Sequence, residues 1–400
     1  MLTDTHLKLL DTLRDKAIKK WSGLPPSATN ALIHMQEGLD VKSISELYAE
    51  AHTISHTRTR LKGDKIVNSV VDATIARESQ YTRKGSTCIV SEARFQAAVD
   101  SCSMGGDIPT NCHKFSAAVN KSFKNALSGE KRERWEAHVK SLVVQGQYLA
   151  LAAAEKQDVV WKGFMFNMKQ GTLKFLLNAS IDTLPTAANL KRWKKTGSDL
   201  CKLCKRRETT NHVLNGCKVS LDTGRFTWRH NCIVNYIVNS VDSKYTVYSD
   251  LPGHTAAGGG SIPPEMCVTA EKPDIVILDN HKKQIHLFEL TCPSEKYIDT
   301  RNTEKSNKYA HFLTDITQFK CTVNCFEVLS KGFISTRNHT TLNTLYKFTK
   351  PGITKSQFKS NISALSITAS HHIFICRKEP TFLEPPFLLP PLVDRTRGSS

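Results

Sequence analysis

The chain has 400 residues, of which 40% are hydrophobic and 8% aromatic, so it can bury ordinary cores and its length suggests two or three domains. Its 55 Lys and Arg outnumber 37 Asp and Glu, a formal charge of +18 that calls for a polyanionic partner, nucleic acid first. No apolar run approaches the roughly eighteen residues of a membrane span, no basic amphipathic helix stands out, and the twelve cysteines of a long chain without an export signal read as reduced thiols, some binding metal.

Residues 1 to about 70 read as helices, with Leu10, Leu13, Ala17, Ile18 and Trp21 near one face and breaks at Gly23-Leu24-Pro25-Pro26 and at Gly38. Ser43 followed by Glu46 offers a helix start, because a serine hydroxyl can cap free amides and an acid suits the positive helix end. Loops are expected over residues 80 to 115, around Gly85, Gly105-Gly106-Asp107 and Pro109. From Ser128 to Lys156 the spacing of Trp135, Val139, Leu142, Val143, Leu149 and Ala153 predicts one long helix. Scattered histidines such as His34, His52 and His56 have no ligand spacing and are assigned no chemistry.

The stretch Lys191 to Arg207 carries Lys191, Arg192, Lys194, Lys195, Lys202, Lys205, Arg206 and Arg207 against one acid, Asp199, with Trp193 inside it. Lysines neutralising phosphate beside an aromatic available for stacking would suit nucleic acid, and a solvated loop is the plainer alternative. Embedded there is Cys201-x2-Cys204-x7-His212-x4-Cys217. A Cys-x2-Cys turn brings two thiolates within about 4 Å, and a His and a third Cys can complete the tetrahedral shell that zinc prefers. With all four positions filled by protein, such a zinc would be structural, since a catalytic zinc keeps one position for water.

Gly224 to Val241 reads as a helix holding Phe226, Trp228, Ile233, Tyr236 and Ile237. Arg229 and His230 near its start join Lys191, Arg192, Lys194, Lys195, Lys205, Arg206 and Arg207 as nucleic-acid-binding candidates. Beyond a loop with Gly258-Gly259-Gly260 and Pro263-Pro264, two β-rich runs, Ile275 to Leu278 and Ile285 to Leu290, flank the turn residues Asp279 to Lys283 and predict a hairpin. Asp274 lies at its mouth, and Glu289 shares a strand face with Ile285, Leu287 and Thr291. Two converging carboxylates could hold a hard divalent cation, Mg²⁺ or Mn²⁺, and leave room for water and a phosphate. Lys305, Lys308 and Tyr309 fall on a predicted helix over Asp299 to Phe319, with the two lysines on one face. The same residues also read as a hairpin with solvated acids and a charged helix. Thr291 stands where the usual Asp…Glu-x-Lys arrangement places its lysine.

These motifs resemble the C-terminal part of the polyprotein of non-LTR retrotransposons that carry a restriction-like endonuclease. The resemblance rests on Asp182-Thr183-Leu184-Pro185-Thr186 with Asn189-Leu190-x2-Trp193, the Cys-Cys-His-Cys knuckle, and Gly224-Arg225-x2-Trp228-Arg229-His230-Asn231. It rests further on Lys272-Pro273-Asp274, Glu289-Leu290-Thr291-Cys292-Pro293-x-Glu295, Lys305-x2-Lys308-Tyr309 and Gly332-Phe333. It covers residues 158 to 376, and Lys20 to Leu61 more weakly resembles the thumb and connector that follow that family's reverse transcriptase.

The resemblance implies a PD-(D/E)xK-type nuclease whose lysine has moved from the strand to the following helix, with Asp274 and Glu289 as metal ligands and Lys305 or Lys308 with Tyr309 completing the site. It implies nicking of target DNA in the nucleus to prime reverse transcription, with element RNA as a second partner. An aromatic-x-Asp-Asp palm motif is missing, because no Asp-Asp dipeptide occurs, and a 5′-truncated element is the expected origin. The expected fold class is therefore α+β: a helical region over 1–157, a basic linker with the zinc knuckle over 158–221, an α/β endonuclease domain over 222–378 and a Pro-rich disordered tail over 379–400. The expected function is metal-dependent DNA nicking, and the alternative is an inactive zinc-dependent nucleic-acid-binding remnant.

Overall fold

The computed structural model describes residues 4–61, 65–67, 69–70, 73, 112–155 and 159–388. Two compact units emerge, Met1–Trp21 with Pro25–Leu142, and Ser22–Leu24 with Val143–Ser400. They part at 142/143, whereas the sequence suggested a boundary at 157/158.

The first unit is helical: α1 (Asp4–Ser22), α2 (Ala31–His34), α3 (Ile44–Leu61) and α4 (Cys112–Ser141). The capping signal at Ser43 becomes a reciprocal box, in which the Glu46 amide donates to Ser43 Oγ at 2.9 Å and the Ser43 amide to Glu46 Oε2 at 2.9 Å. His34 is buried and bonds Asp15 Oδ2 at 3.0 Å and the Val41 carbonyl at 2.8 Å, a structural histidine. Of the loop expected over 80–115, residues 80–111 lie outside the described residues and Cys112 onward is helix.

The long helix expected over 128–156 is two, α4 and α5 (Gln147–Ala154). Val143, assigned to its buried face, is 88% exposed, and Gly146, which weakens a helix interior, stands immediately before α5. Then follow α6 (Gln170–Ser180), α7 (Ala187–Arg192), α8 (Lys218–Asp222) and α9 (Arg225–Ser240), the last within the helix read from 224–241.

A four-stranded sheet, β1 (Thr246–Ser249), β2 (Ile275–Asp279), β3 (Gln284–Thr291) and β4 (Lys320–Glu327), has spatial order β1-β2-β3-β4. The first two pairings are antiparallel. β3 and β4 are parallel, and their crossover carries α10 (Ile298–Tyr309) and α11 (Phe312–Asp315). The helix expected over 299–319 is interrupted here, and His311 Nδ1 reaches the Lys308 carbonyl at 3.0 Å, meeting one of the groups freed at the end of α10. Finally α12 (His339–Lys347) and α13 (Lys355–Ile375) return to the sheet.

Strand alternation gives the sheet two apolar faces. Ile275, Ile277, Phe288, Leu290 and Phe326 pack with α9, α12 and α13, whereas Val276, Leu278, Ile285 and Leu287 pack with Tyr309 and Phe312 of the crossover. Helices thus cover both faces, giving the mixed α and β class expected. The segment 379–388, expected as disordered tail, is laid along α9: Trp228 Nε1 donates to the Pro385 carbonyl at 2.9 Å, and Arg225 donates to the carbonyls of Glu379 at 2.6 Å and Thr381 at 3.4 Å. Phe387 and Leu388 join the core, and residues 389–400 lie outside the described ones.

Candidate functional site

Cys201 and Cys204 sit on a tight hairpin closed by a bond from the Cys201 amide to the Arg206 carbonyl at 2.7 Å and by a bridge between Leu200 and Arg207. Lys205 takes φ 60° to complete the turn. His212 begins a wide helical turn ending at Gly216, and Cys217 follows immediately. The three sulfurs and one imidazole nitrogen all lie within 4.8 Å of one another, and Cys204 Sγ approaches His212 Nε2 to 3.2 Å.

Burial and the neighbouring thiols push Cys201 up to about 11 in spite of backbone hydrogen bonds to its sulfur. A cation among the sulfurs would reverse that penalty. Three soft sulfurs and an imidazole are a donor set that fits zinc and closes its shell. The site is anchored into the unit, because Val213 and Leu214 share a core with Phe175, Leu184 and Phe374.

Around it Lys191, Arg192, Lys194, Lys195, Lys205, Arg206 and Arg207 are all exposed. Asp199 takes Lys191 at 2.9 Å and Arg207 at 3.5 Å. Lys195 Nζ lies 6.0 Å from the centre of the half-buried Trp193 ring. Arg229, grouped with these from its sequence position, is only 1% exposed. Its guanidinium donates to the Leu214 carbonyl at 2.8 Å, Asn215 Oδ1 at 3.1 Å, Ser370 Oγ at 3.2 Å and the Cys292 carbonyl at 3.4 Å. It braces the knuckle against the sheet and has no surface to offer a phosphate.

The second cluster forms at the open end of β2 and β3. Their register pairs Ile275 with Phe288, so continuing it by one residue sets Asp274 opposite Glu289, both on the face covered by α10. The Asp274 amide donates to Glu289 Oε2 at 3.2 Å, and the Leu290 amide donates to Asp274 Oδ2 at 2.8 Å. Lys305 reaches over from α10 and donates to Glu289 Oε1. Lys308, one turn on, donates to Tyr309 Oη at 3.0 Å, with its ammonium 4.6 Å from the centre of that ring. Of the two lysines, Lys305 is thus the one hydrogen-bonded to a carboxylate. Thr291 Oγ1 is buried without a hydrogen-bond partner at the strand position that the usual motif gives to lysine.

His230 belongs to this cluster and not to the basic surface, since its Nε2 donates to Asp274 Oδ2 at 3.0 Å. Burial would lower its pKa, but the Asp274 charge and hydrogen bond outweigh this and carry it to about 10, so the ring is an imidazolium. Burial likewise works against ionised Asp274, and His230, the Leu290 amide and Lys305 hold it below the usual carboxylate range. Glu289 goes the other way, raised by burial and by Asp274 in spite of Lys305. Tyr309, 2% exposed, is raised by burial and by the same two carboxylates and stays a neutral phenol. His230 and Asp274 are 44 positions apart, a separation with no spacing signal that would announce the pair.

A family model described as zinc-binding in reverse transcriptase matches residues 143–223, the stretch from just before α5 through the knuckle to the end of α8. No curated protein matches the chain. The matched family and the Cys3His cluster together support a zinc-binding protein derived from a retroelement. No helix among the described residues is long and apolar enough to cross a membrane.

Proposed function

We propose that the chain is a divalent-metal-dependent DNA endonuclease of the restriction-like, PD-(D/E)xK type found in non-LTR retrotransposons, acting in the nucleus. The knuckle and its basic surface hold DNA, or the element's RNA. The observation that carries this reading is the meeting of Asp274, Glu289 and Lys305 from two adjacent strands and the helix that follows them. Two carboxylates suffice for Mg²⁺ or Mn²⁺, which are held with water and substrate phosphate completing the shell. When bound there, the cation supplies Lewis-acid polarisation of the phosphodiester and a more acidic water.

The chain's own residues do the rest. Asp274 and Glu289 would hold the cation, with His230 and the Leu290 amide steadying the first carboxylate and Lys305 and the Asp274 amide the second. Lys305 can then turn its ammonium toward the negative charge that develops on phosphate. Lys308 and Tyr309 form the adjoining wall. A second reading, a nucleic-acid-binding remnant without hydrolysis, draws on the direct ion pair between Lys305 and Glu289, which already neutralises the buried acid.

Nicking of supercoiled plasmid separates the two. The enzyme requires Mg²⁺ and loses activity in Asp274→Ala with DNA binding retained, and binding by the wild-type protein without nicking at any Mg²⁺ concentration selects the remnant.

A further inference from the structure

We propose that His230 is a positioning residue for Asp274, holding Oδ2 and so leaving Oδ1 to serve a divalent cation; this rests on the nuclease reading given above. Both described hydrogen bonds to the Asp274 side chain fall on the same oxygen, from His230 Nε2 at 3.0 Å and the Leu290 amide at 2.8 Å. Two donors from different elements fix the carboxylate plane, and neither of these hydrogen bonds falls on Oδ1. Donors placed behind a metal-binding group in this way set its orientation and its affinity.

The imidazole is itself fixed. Its Nδ1 lies 3.0 Å from Asn231 Oδ1. The preceding residue, Arg229, is locked by four acceptors on the knuckle, α13 and the end of β3, so the turn of α9 that presents His230 has little freedom. A phosphate contact would need the ring at the surface with a free nitrogen. The side chain is instead 23% exposed, with Nε2 turned inward to Asp274.

The test compares wild-type, zinc-loaded protein with His230→Ala, His230→Gln and His230→Asn. The glutamine amide can take the place of Nε2, and the shorter asparagine cannot reach it. Mn²⁺ binding is measured by calorimetry, the Mg²⁺ dependence of plasmid nicking by gel, and DNA affinity without divalent metal by fluorescence anisotropy. The Ala and Asn variants are expected to bind Mn²⁺ about 10- to 100-fold more weakly and to need correspondingly more Mg²⁺, with DNA affinity unchanged. His230→Gln is expected to recover most of the loss.

Should His230→Ala fail to fold, the Gln and Asn pair carries the comparison. Equal metal dependence in Gln and Asn, or weaker DNA binding with unchanged Mn²⁺ affinity, overturns the proposal while leaving the nuclease intact. A wild-type protein that neither binds Mn²⁺ nor nicks removes the nuclease reading, and this inference with it.

Discussion

Replacing Lys305 with alanine removes the ammonium hydrogen-bonded to Glu289 and leaves that buried acid facing Asp274 without its counter-charge. At an effective dielectric of about 20, a unit charge about 4 Å from a developing negative charge contributes about 4 kcal/mol. The Lys305 side chain keeps 35% of its surface exposed, and solvent screening brings this to about 2–3 kcal/mol, roughly 30- to 150-fold in rate. The Lys308 ammonium rests on Tyr309 and is bonded to neither carboxylate; taken to act from about 8 Å with the same screening, it contributes about 1–1.5 kcal/mol, so its removal should slow the reaction by roughly 5- to 13-fold. The assay is single-turnover conversion of supercoiled to open-circular plasmid at saturating Mg²⁺. If Lys308→Ala is the slower variant, or Lys305→Ala retains nearly full rate, the assignment of roles along α10 is wrong.

Metal analysis of the purified protein should find one zinc per chain, lost in Cys204→Ser. Because Val213 and Leu214 of the knuckle are part of a core with Phe175 and Phe374, that loss should lower the melting temperature by roughly 10 °C, and an unchanged melting curve would mean the knuckle hangs free of the unit. Gly332→Ala should destabilise the unit by about 2–4 kcal/mol in urea titration: Gly332 has φ +73°, and a Cβ there would sit 2.6 Å from Ser363 Oγ and 2.7 Å from Ile367 Cδ1. A change below about 0.5 kcal/mol, within the range of ordinary surface substitutions, would contradict that packing.

The elements read most easily were those with a local signal. The β2–β3 hairpin follows from two apolar β-rich runs around turn residues, α9 from helical spacing and the cap at Ser43 from a four-residue box. By contrast α13 was not read at all. Its residues Ser363, Ser366 and Ser370 are as buried as Ile362 and Ile367, with Ser363 and Ser366 donating to the carbonyls of Gly332 and Leu329, so no polar face marks it as amphipathic. The joined helices over 128–156 and 299–319 failed for a related reason, because periodic spacing survived across a break that only exposure of Val143 and the turn at Ala310 reveal.

Short-range chemistry was set by the sequence alone: four zinc-type ligands within seventeen residues, a basic run around them, and two carboxylates on the runs of a predicted hairpin, Asp274 at its mouth and Glu289 on the second strand. What only the tertiary structure decided was which distant groups meet these residues. Lys305 rather than Lys308 is bonded to Glu289, Arg229 is sealed inside, and His230 turns from the surface to Asp274. The reason is physical: side-chain periodicity assigns a residue to a face of its own element, whereas contact across elements depends on how the helices settle on the sheet, and no spacing along the chain encodes that.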